Sequence, residues 1–185
     1  LGMTSHDVVS MVRRLVGMRA VGHTGTLDPA ATGVMIVCLG KATKFARFFE
    51  SLEKTYWAVL QLGVCTDTQD ATGTVVKRSV VLSYDEHEVQ KILEVFKGCI
   101  KQTPPMFSAV KYQGERLYRL ARRGQTVQRQ ARDVVIRRLE CLDIRHAQMT
   151  LSVTCSKGTY IRTLGEDIGL SVGCGAHVLH LQRCQ

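Results

Sequence analysis

A chain of 185 residues, 45% hydrophobic and 6% aromatic, is long enough for one domain with a real core and at most a small appendage. No apolar run nears the ~20 residues of a membrane span and the start lacks a secretory pattern; opening on Leu1 rather than Met, the chain reads as a trimmed fragment. A formal charge of +9, with Lys and Arg crowded between Lys101 and Arg138, points away from a small neutral substrate and towards a polyanion such as nucleic acid.

In chain order, Thr4-Ser5-His6-Asp7 reads as a capping box that opens a helix with Val8, Met11, Val12 and Leu15 on one face and Gly17 as its stop. A loop over Gly22–Gly33 follows. Val34–Leu39 is a short continuous apolar run and predicts a buried strand. Ala42 to Leu52 predicts a second amphipathic helix, with Phe45, Phe48, Phe49 and Leu52 on its apolar side. Thr55–Cys65 has strand composition, Thr66–Gly73 is a polar turn, and Thr74–Leu82 predicts the return strand of a hairpin. Asp85 caps a helix through Phe96 that Gly98 ends. Gln102-Thr103-Pro104-Pro105 reads as irregular. A short basic helix is expected over Arg116–Arg123, strands near Val134–Ile144 and Gln148–Cys155, a helix from Lys157 to about Leu170, and a last apolar segment over Ala176–Leu181. Helices and hairpins without regular βα alternation predict an α+β fold on a mixed, largely antiparallel sheet flanked by helices.

Seven cysteines, none spaced as CxxC, argue against a disulfide framework or zinc knuckle and for a reducing, cytoplasmic setting; most read as core fillers. His177 and His180, three apart, could share a helix face, but no further ligand cluster lies nearby and no metal is expected. Asp67 and Asp70 lack the glycine and terminal glutamate of an EF-hand loop, so their turn is read as structural or RNA-apposed.

The stretch Gly22-His23-Thr24-Gly25-Thr26-Leu27-Asp28-Pro29-Ala30-Ala31-Thr32-Gly33 is the centre of the chain. Glycines permit close backbone approach, and Pro29 pushes Asp28 towards an extended conformation. Asp28 is thus an acid framed by stiff backbone in an approachable loop; a plain Gly-rich turn, its Asp bonded to its own backbone, fits the same spacing.

Four stretches in order resemble the bacterial tRNA pseudouridine synthases of the TruB family. They are Gly22–Pro29 with Ala31-Thr32-Gly33; Lys54-Thr55-Tyr56 with Gly63 and Thr66–Asp70; Gln102–Lys111 with Gly114 and Tyr118; and Cys155–Thr163 with Gly175-Ala176-His177. The resemblance implies the pseudouridine synthase fold and conversion of the T-loop uridine of tRNA (position 55) to pseudouridine, without metal or organic cofactor. It places Asp28 on the catalytic aspartate, Tyr56 on the tyrosine stacking against the target base, and Arg162 on the arginine pairing with the aspartate. His23, Tyr160 and Leu181 fall on positions lining the pocket for the extruded nucleotide, and Lys44 on an RNA-contacting lysine. The partner implied is the tRNA T-arm, with no membrane and no protein partner. Residues 1–185 would form the catalytic domain, lacking the family's N-terminal strand with its Lys-Pro turn and the C-terminal PUA-type domain. Ile36 stands for a frequent proline and Gln182 for a common arginine.

That chemistry suits the residues. A carboxylate can form a covalent adduct with a sugar or base carbon, and a nearby arginine favours its charged form. An arginine at a helix start is disfavoured by the helix dipole, so Arg162 there needs a reason. Tyr56 can recover stacking energy for a base drawn from its stack, and its hydroxyl could take the C5 proton. Two rivals fit parts of the pattern: a KH-like module using Gly22-His23-Thr24-Gly25, and a nucleoside hydrolase, which would ordinarily pair two carboxylates. The guide-RNA-dependent branch of the same superfamily is a third, closer alternative.

Overall fold

The computed structural model describes every residue except 82 and 83. Helix α1 (Ser5–Val16) begins at the expected capping box, with the Asp7 amide donating to Thr4 Oγ1 and the Thr4 amide to the Asp7 carboxylate, and ends at Gly17 with φ 63°. The Gly-rich loop carries strands of its own: β1 (Val21–His23) and β2 (Thr32–Gly33). β1 pairs antiparallel with β3 (Val37–Leu39). The expected buried strand over Val34–Leu39 is therefore halved, and Val34 and Ile36 are exposed.

The second helix is also corrected. A 3-10 turn (Gly40–Phe45) leads into α2 (Ala46–Glu50), and Phe45, Phe48, Phe49 and Leu52 face outwards, 40 to 56% exposed. Apolar periodicity reports which residues share a face; it does not supply anything to cover that face. The backbone carbonyls of Phe49, Glu50 and Leu52 accept hydrogen bonds from Lys54 Nζ, which closes the end of α2.

Strand β4 (Lys54–Leu62) stops at Gly63 and resumes as β5 (Val64–Thr66), which forms the expected hairpin with β6 (Val75–Arg78). Leu82 of the expected return strand lies outside the described residues. Helix α3 (Glu86–Glu94) is capped by Asp85 as expected but ends before Phe96, and Gly98 starts strand β7 (Gly98–Gln102) rather than merely stopping a helix. Gln102 is thus in a strand, with the irregular stretch starting after it. A small hairpin, β8 (Lys111–Tyr112) with β9 (Glu115–Arg116), precedes α4 (Leu117–Arg122). The long strands are β10 (Arg132–Arg145) and β11 (Gln148–Cys155); α5 (Ile161–Val172) and β12 (Ala176–Arg183) follow.

The main sheet has the order β2-β12-β4-β11-β10-β7, antiparallel throughout except for the parallel pair β12–β2. The fold is α+β, as expected. Along β4 and β11 alternate residues Ala58, Leu60, Leu62, Met149, Leu151 and Val153 are buried, while Trp57 on the opposite face is 55% exposed. Val89 and Leu93 of α3 and Leu164 and Ile168 of α5 close the core over the buried face. Helix α5 lies unusually near the sheet end: a Cβ on Gly169 would stand 2.3 Å from the Ala176 amide nitrogen, so only glycine fits there. His177 and His180 lie on β12, not on a helix; His177 is buried with Nδ1 2.8 Å from the Val64 carbonyl oxygen, and His180 is exposed. None of the seven cysteines is in a disulfide, and Cys38, Cys65, Cys155 and Cys174 are buried.

Candidate active site

Asp28 sits on a loop tied down from several sides. Ser5 at the start of α1 both receives the Leu27 amide (2.9 Å) and donates to the Leu27 carbonyl (3.2 Å). The Gly2 amide donates to the Pro29 carbonyl and the Ala31 amide to that of Asp28, at 2.7 and 2.9 Å. At the loop's far end Gly33, at φ 111°, lies so close to β12 that a Cβ would fall 2.0 Å from the Arg183 carbonyl oxygen. Arg183 itself is buried. It donates to the Val34 carbonyl at 2.7 Å and reaches the Gly25 and Thr26 carbonyls at 3.4 to 3.5 Å, so one side chain holds both arms of the loop.

Arg162 enters from the first turn of α5, which has no side-chain cap. It is only 5% exposed, and its guanidinium is fully engaged. Nε donates to Asp28 Oδ2 at 2.8 Å and Nη2 to Asp28 Oδ1 at 3.2 Å, a two-pronged pairing. Nη1 donates to the Thr68 carbonyl and Nη2 also to the Phe107 carbonyl, both at 2.9 Å. Asp70 Oδ2 stands 3.7 Å from Nη1. Its other oxygen, Oδ1, accepts from the Thr68 hydroxyl, the Thr72 hydroxyl and the Thr72 amide at 2.6 to 2.9 Å. Two carboxylates and two carbonyls thus offset the cost of burying a cation at a helix N-terminus.

Asp28, Asp70 and Arg162 line one small cleft with Ala31, Val178 and Leu181. Tyr56 lies beside it on the core side of β4, opposite Arg183 in the β12 ladder. Burial raises its phenol above the usual tyrosine range, with the Cys155 side chain adding to the rise and the Arg183 guanidinium opposing it. Tyr160 precedes α5 with its backbone clamped by the Gln102 amide, which donates to the Tyr160 carbonyl (3.0 Å) and accepts from its amide (2.7 Å). Burial raises the Tyr160 phenol too, against the pull of the Ser108 hydroxyl. Both tyrosines feel the Asp28 charge.

His23 is half-buried at the end of β1. Burial lowers its imidazole pKa, and Nδ1 accepts from the Gly25 amide at 3.2 Å, which leaves the ring proton of the neutral form on Nε2. Lys44 is exposed on the 3-10 turn and does not line the cleft. The structure therefore gathers Asp28, Arg162 and Leu181 in the cleft, keeps Tyr56 and Tyr160 near enough to feel the Asp28 charge, and leaves His23 and Lys44 outside the lining. Asp70, Gln102 and Arg183 were not singled out as site residues by sequence reasoning. Asp70 was read as part of a structural or RNA-apposed turn, and Arg183 could not be told from a surface arginine. Among the described residues no group of three His, Cys, Asp or Glu side chains is placed to hold a metal. Among the described residues no helix is long and apolar enough to cross a membrane.

Residues 13–161 match the family model described as "TruB family pseudouridylate synthase (N terminal domain)". The chain belongs to this family. Among its TruB-family relatives, proteins named tRNA pseudouridine synthase B from Geotalea uraniireducens and Ectopseudomonas mendocina are each 51% identical over 182 residues. The alignments take in 98% of this chain but 59% of theirs, so the chain spans about three fifths of the length of the curated relatives it matches. The crystal structure of a Cbf5-Nop10-Gar1 complex contains a chain that superposes with a TM-score of 0.76 at 30% identity, covering 100% of this chain and 45% of that one. A structure of an H/ACA RNP bound to a substrate RNA containing 2'-deoxyuridine gives a TM-score of 0.72 at 27% identity, over 100% and 44% of the two chains.

Proposed function

We propose that residues 1–185 form the catalytic domain of a tRNA pseudouridine synthase acting on the T-loop uridine at position 55, with Asp28 as nucleophile. The observation that carries this reading is the Asp28–Arg162 pair, a carboxylate held by a two-pronged buried arginine at the floor of an open cleft. The names of the relatives support the substrate class.

In this reading the N1–C1′ bond breaks, the uracil turns, and C5 joins C1′, while the Asp28 carboxylate forms a transient covalent adduct. Arg162 aims that carboxylate through its two-pronged hydrogen bond. Extruding the base costs a few kcal/mol, which stacking on the Tyr56 ring offsets by ~1–3 kcal/mol. The raised Tyr56 pKa bears on the last step, because a phenol that stays neutral at working pH cannot act as a strong base. Tyr56 serves instead as a relay, its oxygen accepting the C5 proton as its own proton passes to solvent water entering the cleft. His23, neutral and flat, rests against the displaced base or its neighbour; Tyr160 and Leu181 wall the pocket. Lys44 and the basic 101–138 stretch hold phosphates, giving affinity and orientation, while the shape of the T-loop selects the substrate. A tRNA substrate and cysteines outside any disulfide are in keeping with a cytoplasmic setting.

The test is an unmodified T-arm stem-loop incubated with wild type and with Asp28→Asn, the product read by chemical derivatisation of pseudouridine. Product from wild type alone, with RNA binding retained in Asp28→Asn, is the expected result. Free uracil would make the protein a hydrolase. Tighter binding by Asp28→Asn, with no product from either, would make it a binding module.

A further inference from the structure

The turn between β5 and β6 supplies two of the groups around the Arg162 guanidinium, the Thr68 carbonyl and the Asp70 carboxylate. Gln69 lies between them at φ 63°, a left-handed conformation that asparagine or glycine adopts more cheaply. Its side chain leaves the turn altogether. Oε1 accepts from the Thr163 hydroxyl at 3.0 Å, and Nε2 donates to the Glu166 carboxylate. Thr163 and Glu166 follow Arg162 by one and four residues on α5, so both partners belong to the turns that carry the guanidinium. The backbone of the same turn is stitched to β12: the Val178 amide donates to the Gln69 carbonyl and the Ala71 amide to that of Val178, each at 3.0 Å.

We infer that Gln69 is a positioning residue that keys the Thr68–Asp70 turn to the start of α5 and so fixes the Arg162 fork against Asp28. An amide is the group this place needs, since it must accept from a hydroxyl and donate to a carboxylate at once. A glutamate would set like charges together, and a glycine would relieve the backbone while losing both bonds. The inference draws on the proposed synthase reading only for its turnover readout.

The test compares Gln69→Glu, Gln69→Gly and the exchange Gln69→Glu with Glu166→Gln, in which the donor and acceptor swap sides. Gln69→Glu should lower kcat on the T-arm stem-loop about tenfold or more with KM within about twofold. The exchange should recover most of it, and Gln69→Gly should lose kcat without a fall in Tm. In 15N-arginine-labelled protein, the Arg162 Nε proton (assigned by its loss in Arg162→Lys) should exchange with solvent faster in both single variants and return to wild-type protection in the exchange. Unchanged protection in Gln69→Glu and Gln69→Gly, or no recovery in the exchange, overturns the inference. Protection that follows the expected pattern in a wild type making no pseudouridine upholds the inference and sinks the synthase reading instead.

Discussion

Arg162→Lys keeps the charge and removes the fork, which makes it the sharpest probe of the site. Arg162 donates four hydrogen bonds, two to Asp28 and one each to the Thr68 and Phe107 carbonyls. A lysine ammonium presents its donors from one point and cannot span acceptors on several sides of a planar group. It keeps the Asp28 contact and one carbonyl at best, so two charged hydrogen bonds are lost at roughly 1.5–3 kcal/mol each. Asp28 is about one third exposed, so water entering the cleft replaces part of this. The net cost is roughly 2–4 kcal/mol of stability, a urea midpoint lowered by about 1–2 M at a slope near 2 kcal/mol/M. Single-turnover pseudouridine formation should fall by about 100-fold or more, because a tilted carboxylate misses its line of attack. A midpoint within about 0.2 M of wild type together with a rate within about threefold would refute the argument that the fork matters rather than the charge.

Tyr56→Phe keeps the ring and removes the relay, so turnover should drop by about 100-fold or more in a quench assay, with T-arm affinity unchanged by filter binding. Equal loss of affinity would assign the hydroxyl to binding. Gly33→Ala forces a Cβ to 2.0 Å from the Arg183 carbonyl oxygen at φ 111°, and should cost at least about 2 kcal/mol by urea unfolding and weaken turnover with it. Asp167 has a folded pKa raised to about 6 by burial and by Glu166. An acid raised in this way contributes most to stability when protonated, below its unfolded value of 3.8, and that contribution is lost as pH rises through about 6. Asp167→Asn should therefore be near neutral at acid pH and stabilise by roughly 1 kcal/mol at pH 7, a figure kept low because the carboxyl is partly exposed. The same gain at both pH values would show a packing effect instead.

The elements most legible in the sequence carried their own punctuation. The Thr4–Asp7 box, Gly17, the Asp85 cap and the alternating Gln148–Cys155 strand all appear where expected. Pairing across long distance was not legible. Nothing local in Thr32-Gly33 says strand; it becomes one because β12 lies beside it. Phe45, Phe48, Phe49 and Leu52 were read as the apolar side of a helix, and the folded chain leaves that side exposed. Within the site, Asp28 stood out through Pro29 and the glycines, while Arg162 came from the family resemblance, with its awkward place at a helix start as support. Asp70 and Arg183 did not, because their importance lies in what the folded chain sets against them, a guanidinium in one case and three loop carbonyls in the other.

The position of β12 between β2 and β4 has a consequence for synthesis on the ribosome. Asp28 and Tyr56 emerge early, yet Arg162 lies 134 residues after the aspartate it holds, and the strand that seats the Gly-rich loop comes later still. Until residues 176–183 leave the exit tunnel, β2 has no neighbour in the sheet and one edge of β4 stands open. A nascent chain thus displays Asp28 well before Arg162 and β12 arrive to build the cleft around it. Such late closure of a sheet through distant segments folds slowly and leaves strand edges bare meanwhile. In the proposed reading, activity should be absent until β12 slots between β2 and β4.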